Sequence, residues 1–348
     1  MTSTTGVPDI LTRCRRACAA ATEAAIHRLA PEIRRSASYH LGWTGADGTP
    51  SSAPGGKGIR PALALLSAEA AWASADVGIP GGVAVELVHN YSLIHDDIID
   101  GDTERHHRPT VWAVYGVGAA IIAGDALENL AHQVLLEADP STGALASAAL
   151  AEATAEMIAG QADDIAFEKR RNVGVDECTA MSAAKTGALL GAASSIGAIL
   201  AGAPPATIGA LRDYGRHLGL AFQAVDDLLG IWGDPARTGK PAGNDLRQRK
   251  KSLPVVAALA AGSEEADELR TLLLGDPATP LDTLPTLEAD QVTRAAYLVD
   301  ACGGREWTGV RAKSHLDAAL GALERVRLSA VPHRELADLA VFVVEREL

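Results

Sequence analysis

The chain is predicted to fold as an all-α protein, on three observations. Apolar residues recur at mixed three- and four-residue spacing along its 348 residues. Sustained period-two alternation, and hairpin turns between β-rich runs, are not found. Hydrophobic residues make up 47% of the chain but aromatics only 4%. Ala and Gly therefore do much of the packing, which suits closely approaching helices better than a β-sandwich. No repeat of 20–50 residues is present, and a single domain over 1–348 is the economical expectation.

The elements follow in order. Residues 1–8 are expected to be disordered, and 9–35 form an amphipathic helix ending at Arg34 and Arg35. The Gly, Pro, Ser and Thr-rich stretch 42–58 is a loop. Helices are expected at 59–76 and 81–101, and Pro109 at a first-turn position opens another over 109–137. The proline-free run 141–203 holds two long helices broken near Asn172-Val173-Gly174. Pro204-Pro205 punctuates, and a helix follows over 206–232. A polar loop at 233–249 leads into a helix at 251–262. The acidic, proline-bearing region 263–290 reads as short helices and surface loop. Helices at 288–302, 305–328 and 332–346 close the chain.

The formal net charge of −13 argues against nucleic acid or an anionic membrane as partner. An acidic protein that binds phosphates must do so with metal ions and a few placed cations. Cys14 and Cys18 share a helical face, but no second ligand pair completes a zinc set. The four cysteines read as thiols in a reducing compartment. The first residues lack the layout of a signal peptide, and no run of 18 apolar residues occurs. A cytoplasmic location without membrane insertion is expected.

Chemistry concentrates where helices end in acid. Asp96, Asp97 and Asp100 close an apolar helix, with Asp96 and Asp100 one turn apart. Taken alone they are either a solvated face or a metal pair. Asp226 and Asp227 end a second apolar helix. Two buried helices terminating in adjacent aspartates are hard to explain as solvation. Facing each other across a cavity, they would cage divalent cations bridged by an anion such as a diphosphate. Lys57 and Arg60, in a Gly-rich stretch that opens a helix, suit a diphosphate. Arg105, Lys185, Lys240 and Lys250 add cations near predicted helix ends. Asp163, Asp164 and Glu168 form a third acidic cluster, read as a flanking helix face. His95 reads as support for its helix end, Phe222 and Trp232 as packing. His27, His40, His132, His217, His315 and His333 read as surface or core residues.

These strings resemble the trans-isoprenyl diphosphate synthases, the polyprenyl synthetase family, over roughly 50–260. They are GGKxxRP at 55–61, the aspartate motif at 96–100, RPT at 108–110 and GQxxD at 160–164. Lys185-Thr186, FQxxDD at 222–227 and GDxxxxGK at 233–240 follow in the family's order. The resemblance implies a helical bundle around a central apolar cavity, a homodimer, and three Mg²⁺ ions bound with diphosphate. It makes Asp96, Asp100 and Asp226 the metal ligands and Asp97 a supporting carboxylate. Lys57, Arg60, His89 and His106 match the isopentenyl diphosphate pocket. Arg105, Lys185, Thr186, Gln223, Lys240 and Lys250 match groups around the allylic diphosphate. Tyr91, with Ser92 beside it, falls where a bulky residue accompanies C20 products, so geranylgeranyl diphosphate is expected, then farnesyl diphosphate.

Three departures stand out. The family's second motif ends in aspartate where this chain has Gly230. Its Arg-Arg-Gly is Arg105-His106-His107 here, and Arg249 stands where a glycine often precedes the lysine. The implied reaction ionises an allylic diphosphate, adds isopentenyl diphosphate and loses a proton, with no protein nucleophile. The rivals are a terpene cyclase, whose NDxxSxxxE lacks its serine after Asn244-Asp245, and a non-catalytic subunit, which would tend to lose the first motif.

Overall fold

A computed structural model describes residues 6–51, 56, 58–234 and 243–345. These divide into two compact units: 1–154 with 189–213 and 322–339, and 155–188 with 214–321 and 340–348. The expected helical class holds throughout.

In the first unit, α1 (Val7–His27) and α2 (Pro31–His40) replace the single helix expected over 9–35. Pro31 holds Ala30 in an extended conformation and so ends one helix and begins the next. Helix α1 also takes in Val7 and Pro8, expected to be disordered. Helix α3 (Ile59–Ala70) is buried along most of its length. Helix α4 (Ala75–Ile99) carries the first aspartate motif at its end, and its centre, including Val83, Val85, Leu87 and Val88, is buried. A helix apolar on most sides belongs in a core. Small residues make this possible. A Cβ at Gly78 would lie 2.8 Å from the Ala64 carbonyl oxygen, and one at Gly197 would collide with that same oxygen.

Pro109 does not open a helix. Residues 104–109 form a small hairpin, β1 (Glu104–Arg105) against β2 (Arg108–Pro109), which the absence of long alternation had not signalled. Helix α5 (Val111–Tyr115) starts after it, and Gly116, at φ 84°, separates it from α6 (Val117–Leu136).

Helix α7 (Gly143–Glu168) begins in this unit and ends in the second. There α8 (Val175–Ser182) runs into a π-helical turn, Ala183–Gly187, which leads into α9 (Ala188–Leu200), assigned from Leu189 on to the first unit. The run Val175–Leu200 is long and apolar enough to cross a membrane, but 78% of its most apolar window is buried in the protein, as in a core helix. Helix α10 (Pro205–Trp232) carries the second aspartate pair, and α11 (Asn244–Arg247) is a single turn.

The rest of the second unit surrounds its own core with α12 (Leu253–Leu259), α13 (Glu264–Leu274), α14 (Ala289–Ala301) and α15 (Gly304–Leu323). Helix α16 (Ala330–Glu345) closes the chain. Residues 263–290 are more than surface. Leu269, Leu273, Leu274 and Leu287 are buried with Val255, Val292 and Leu298.

Candidate active site

The first acidic helix end is built by α4 and locked by the hairpin after it. Asp96 is partly buried and Asp100 exposed, one turn apart, and the Asp100 amide donates to the Asp96 carbonyl at 2.8 Å. Asp97 points the other way and is 1% exposed. Arg105 Nε donates to Asp97 Oδ1 at 2.8 Å. Burial raises the Asp97 pKa, and Arg105 works against that rise while Asp102 and Asp100 add to it. The aspartate thus anchors the arginine rather than facing outward, as a supporting carboxylate should. Thr110 Oγ1 and Trp112 Nε1 both donate to the Asp102 carbonyl, at 2.9 and 2.8 Å. Arg108 donates to the carbonyls of Tyr39 and Thr44 and lies 4.5 Å from the Tyr39 ring centroid. The RPT string is therefore a fastening of this loop.

Beside it lies a cationic and imidazole pocket. Burial lowers the pKa of Arg60, opposed by Glu86, and its Nε has no hydrogen-bond partner among the described residues. Burial also drives His89 well below its usual range, with Arg60, His40, Arg105 and His106 pushing the same way. His40 is pulled down to about 3 by burial and by Arg105, His106 and Arg108, although Asn90 hydrogen-bonds it. Two arginines and three imidazoles thus crowd one place, with Asp97 holding Arg105 and Glu86 acting on Arg60, while the Arg60 Nε keeps a free donor that suits an anion. Arg60, His89 and His106, expected to surround the isopentenyl group, are brought together here with Arg105, which was expected beside the allylic diphosphate. His40, read as an ordinary surface or core residue, joins them.

Tyr91 sits partly buried on the same helix with its ring edge-on to His95, centroids 4.8 Å apart. His95 Nε2 lies 3.2 Å from the Ile121 carbonyl on α6. It fills a notch that exists because residue 124 is glycine: a Cβ there would collide with His95 Nε2 and lie 2.5 Å from its Cδ2. Ser92 turns its hydroxyl to the His89 carbonyl at 2.8 Å.

The second group belongs to the other unit. Lys185 and Thr186 stand on the π turn, whose wider backbone re-aims side chains that an α-helix would point elsewhere. Gly160 lets α7 reach that turn, since a Cβ there would collide with the Lys185 backbone nitrogen. Lys185 Nζ donates to Asp164 Oδ2 at 2.6 Å. Thr186 Oγ1 donates to Gln223 Oε1 at 2.7 Å, and Gln223 Nε2 donates to Asp227 Oδ1 at 2.8 Å. The Leu253 amide completes the chain at Asp227 Oδ2, 2.8 Å. Burial pushes Asp227 up to about 7, against Lys250 and these hydrogen bonds. Burial also works to discharge Lys250, but Asp245, Asp164, Asp227 and Asp226 outweigh it and hold its pKa above the usual lysine value. Asp226 itself is exposed. Asp164, set aside as a flanking acid, is thus the counter-charge of two lysines. Lys57 and Lys240 lie outside the described residues.

Residues 49–284 match the sequence profile of polyprenyl synthetases. The chain belongs to the polyprenyl synthetase family. Within it this is a prenyltransferase of the short-chain isoprenyl diphosphate synthase type. A (2E,6E)-farnesyl diphosphate synthase of Mycobacterium tuberculosis is 48% identical over 321 residues, covering 92% of this chain and 88% of that protein. A geranylgeranyl diphosphate synthase of the same species is 41% identical, covering 97% and 93%. The fold is that of a polyprenyl synthetase from Streptomyces coelicolor A3(2), with TM-score 0.92, 49% identity and coverage of 97% and 99%. A geranylgeranyl pyrophosphate synthase from Corynebacterium glutamicum, complexed with isoprenyl diphosphate and magnesium, gives TM-score 0.79 at 28% identity, covering 98% of each chain.

For this polyprenyl synthetase the metal question can be put to the residues. Among the described residues no three acidic, histidine or cysteine side chains converge as a complete metal cage. Asp96 and Asp100 offer a partial, all-oxygen shell at a helix end. That fits Mg²⁺, which takes one or two carboxylates and fills its shell with water and substrate phosphate. His132 contacts Glu128 and Ser147, and His217 meets His315 at 3.2 Å, so neither pair adds a ligand set.

Proposed function

We propose that the protein condenses isopentenyl diphosphate with an allylic diphosphate and releases a trans prenyl diphosphate of C20, geranylgeranyl diphosphate. The observation that carries the reading is the cluster of Arg60, His89, His40 and Arg105, with a free Arg60 Nε donor, next to the Asp96 and Asp100 pair on one helix end. One feature suits a diphosphate held by protein cations, the other a diphosphate held through metal.

In this reading Arg60, His89, His106 and Lys57 bind isopentenyl diphosphate and aim its double bond. Asp96 and Asp100 would hold Mg²⁺ against the allylic diphosphate, and Asp226 a further ion, three in all. Bound there, the metal would neutralise charge gathering on the departing pyrophosphate. Lys185, Lys240 and Lys250 add positive charge for the same leaving group. Arg105, fixed by Asp97, needs no reorganisation as the carbon–oxygen bond of the allylic substrate breaks. Thr186 and Gln223 fix the orientation of that diphosphate. The isopentenyl double bond attacks the resulting allylic carbocation, and a proton leaves to the released pyrophosphate. Tyr91, seated against His95, limits the chain that can grow beneath the motif.

A second reading, farnesyl diphosphate as final product, is favoured by the 48% identical mycobacterial synthase. Purified protein incubated with Mg²⁺, isopentenyl diphosphate and, in turn, dimethylallyl, geranyl and farnesyl diphosphates decides between them. Elongation halting at C20 is expected. A halt at C15 moves the conclusion to the second reading. No elongation, or a cyclic hydrocarbon, overturns both.

A further inference from the structure

After α11 the chain reverses on a residue that carries a side chain. The Arg249 amide donates to the Leu246 carbonyl at 2.9 Å and the Lys250 amide to the Asp245 carbonyl at 2.8 Å. These two bonds make a helix stop whose last residue is left-handed, a place that glycine usually takes. Arg249 takes it at φ 57°, which its Cβ makes costly. Its side chain offsets that cost. Arg249 Nη1 donates to the Leu272 and Leu273 carbonyls at 2.7 and 2.8 Å, and Nε to the Pro285 carbonyl at 2.9 Å. Leu272 and Leu273 lie in the last turn of α13, where carbonyls left over by the helix and the negative end of its dipole suit a cation.

That anchor is firm. Leu273 and Leu274 are buried in the core of this unit, and Arg171 donates to the Leu274 and Asp276 carbonyls at 2.6 and 2.7 Å. One guanidinium thus ties the turn at 249 to the end of α13, and the next residue is Lys250. The two side chains part at the turn. Arg249 runs to α13, whereas the Lys250 ammonium answers to Asp245, Asp164, Asp227 and Asp226. A lysine stem is long and flexible, so its ammonium is placed only as well as its backbone root. We propose that Arg249 is a positioning residue, which holds the strained turn closed on α13 and so aims Lys250 at the allylic diphosphate. This inference rests on the synthase reading, in which Lys250 adds positive charge for the leaving group.

Calorimetric binding of inorganic pyrophosphate with Mg²⁺ tests it, in the native chain, Arg249→Ala, Arg249→Lys and Arg249→Gly. Alanine keeps the strain and loses the anchor. Lysine keeps the charge but, without a planar fork, cannot reach all these carbonyls at once. Glycine loses anchor and strain together, so the turn holds by itself. Affinity is expected to fall about tenfold in Arg249→Ala and Arg249→Lys, the size of one charged hydrogen bond, and to stay within about threefold of native in Arg249→Gly. Isopentenyl diphosphate affinity should stay within about twofold in every variant, and in a Lys250→Gln background Arg249→Ala should cost nothing further. Circular dichroism checks folding, and the lysine and glycine variants decide the matter if Arg249→Ala does not fold. Native affinity in Arg249→Ala overturns the inference. So does recovery by lysine, which would make the charge itself the cause, or a glycine variant as weak as lysine, which would exclude the turn. Equal losses for isopentenyl diphosphate overturn it too, because the variants would then loosen the fold at large. If the native chain binds no pyrophosphate with Mg²⁺, the synthase reading fails, and this inference with it.

Discussion

His40 shows how much a single side chain can be altered by its neighbours. Its folded-state pKa of about 3 lies far below the ordinary 6.5. Below pH 6.5 the unfolded chain takes up a proton that the folded chain refuses, so this residue removes stability as pH falls from there toward 3. At pH 5 the loss is about 2 kcal/mol. His40→Gln should therefore lose less stability than the native chain between pH 7 and 5, by about that amount, in urea titrations. Equal slopes would show that His40 is not the source. Tyr91 is the other residue with a readable consequence. With its ring removed, the apolar channel deepens, and Tyr91→Ala should shift the product mixture toward longer chains by at least one isoprene unit. Chain-length analysis that finds no shift would remove Tyr91 as the floor. Of these two, only Tyr91 could be read from the sequence, through its place before a motif. His40 lies far along the chain from His89 and Arg105, and no spacing rule joins them.

At the scale of the element, the hairpin is the revealing case. His106 and His107 sit at its turn with φ of 51° and 60°. Two-residue hairpin turns of this hand ask for glycine or asparagine, and a side chain held there costs roughly 1 kcal/mol. His107, held in that left-handed region, therefore carries backbone strain. His107→Gly should raise unfolding stability by about 0.5–1 kcal/mol, after allowance for the greater freedom of glycine when unfolded. A fall in the urea midpoint would mean that His107 makes a contact worth more than its strain. Elements punctuated by proline or glycine were legible: Pro204-Pro205, the break near Gly174 and the first acidic helix end lie where the sequence puts them. Asp226 and Asp227, expected to end their helix, instead lie inside α10, which runs on to Trp232. The hairpin was not legible, because four paired residues carry no periodicity. Nor was the split at Pro31, where an apolar pattern runs on across a proline.

On the scale of the whole molecule, the charge balance sets the problem. A chain with net charge −13 must bind anionic substrates. Its two groups of site residues suit different means. Arg60, His89, His40 and Arg105 offer protein cations and imidazoles, whereas Asp96, Asp100 and Asp226 repel a bare diphosphate. Chelation should separate them. With EDTA, isopentenyl diphosphate should bind within about threefold of its Mg²⁺ affinity, while an unreactive allylic analogue loses about tenfold or more. Equal losses would place metal under both substrates. The helical class was legible because apolar periodicity is local. The hydrogen-bonded order of Thr186, Gln223 and Asp227, and the pairing of Asp164 with Lys185, were not, because they depend on which helices meet.

The π turn at 183–187 amounts to an insertion that the helix has absorbed. Removing one residue from an ordinary α-helix swings everything beyond it by about 100° and ruins its packing. Removing Ala184 should do the opposite, closing the turn into regular helix while the flanking stretches keep their faces. Such a deletion is expected to melt within a few degrees of the native protein, yet to lose about a hundredfold in condensation rate as Lys185 and Thr186 turn away. Here an insertion or deletion, usually tolerated only in loops, would be tolerated in a buried helix and would cost activity rather than the fold.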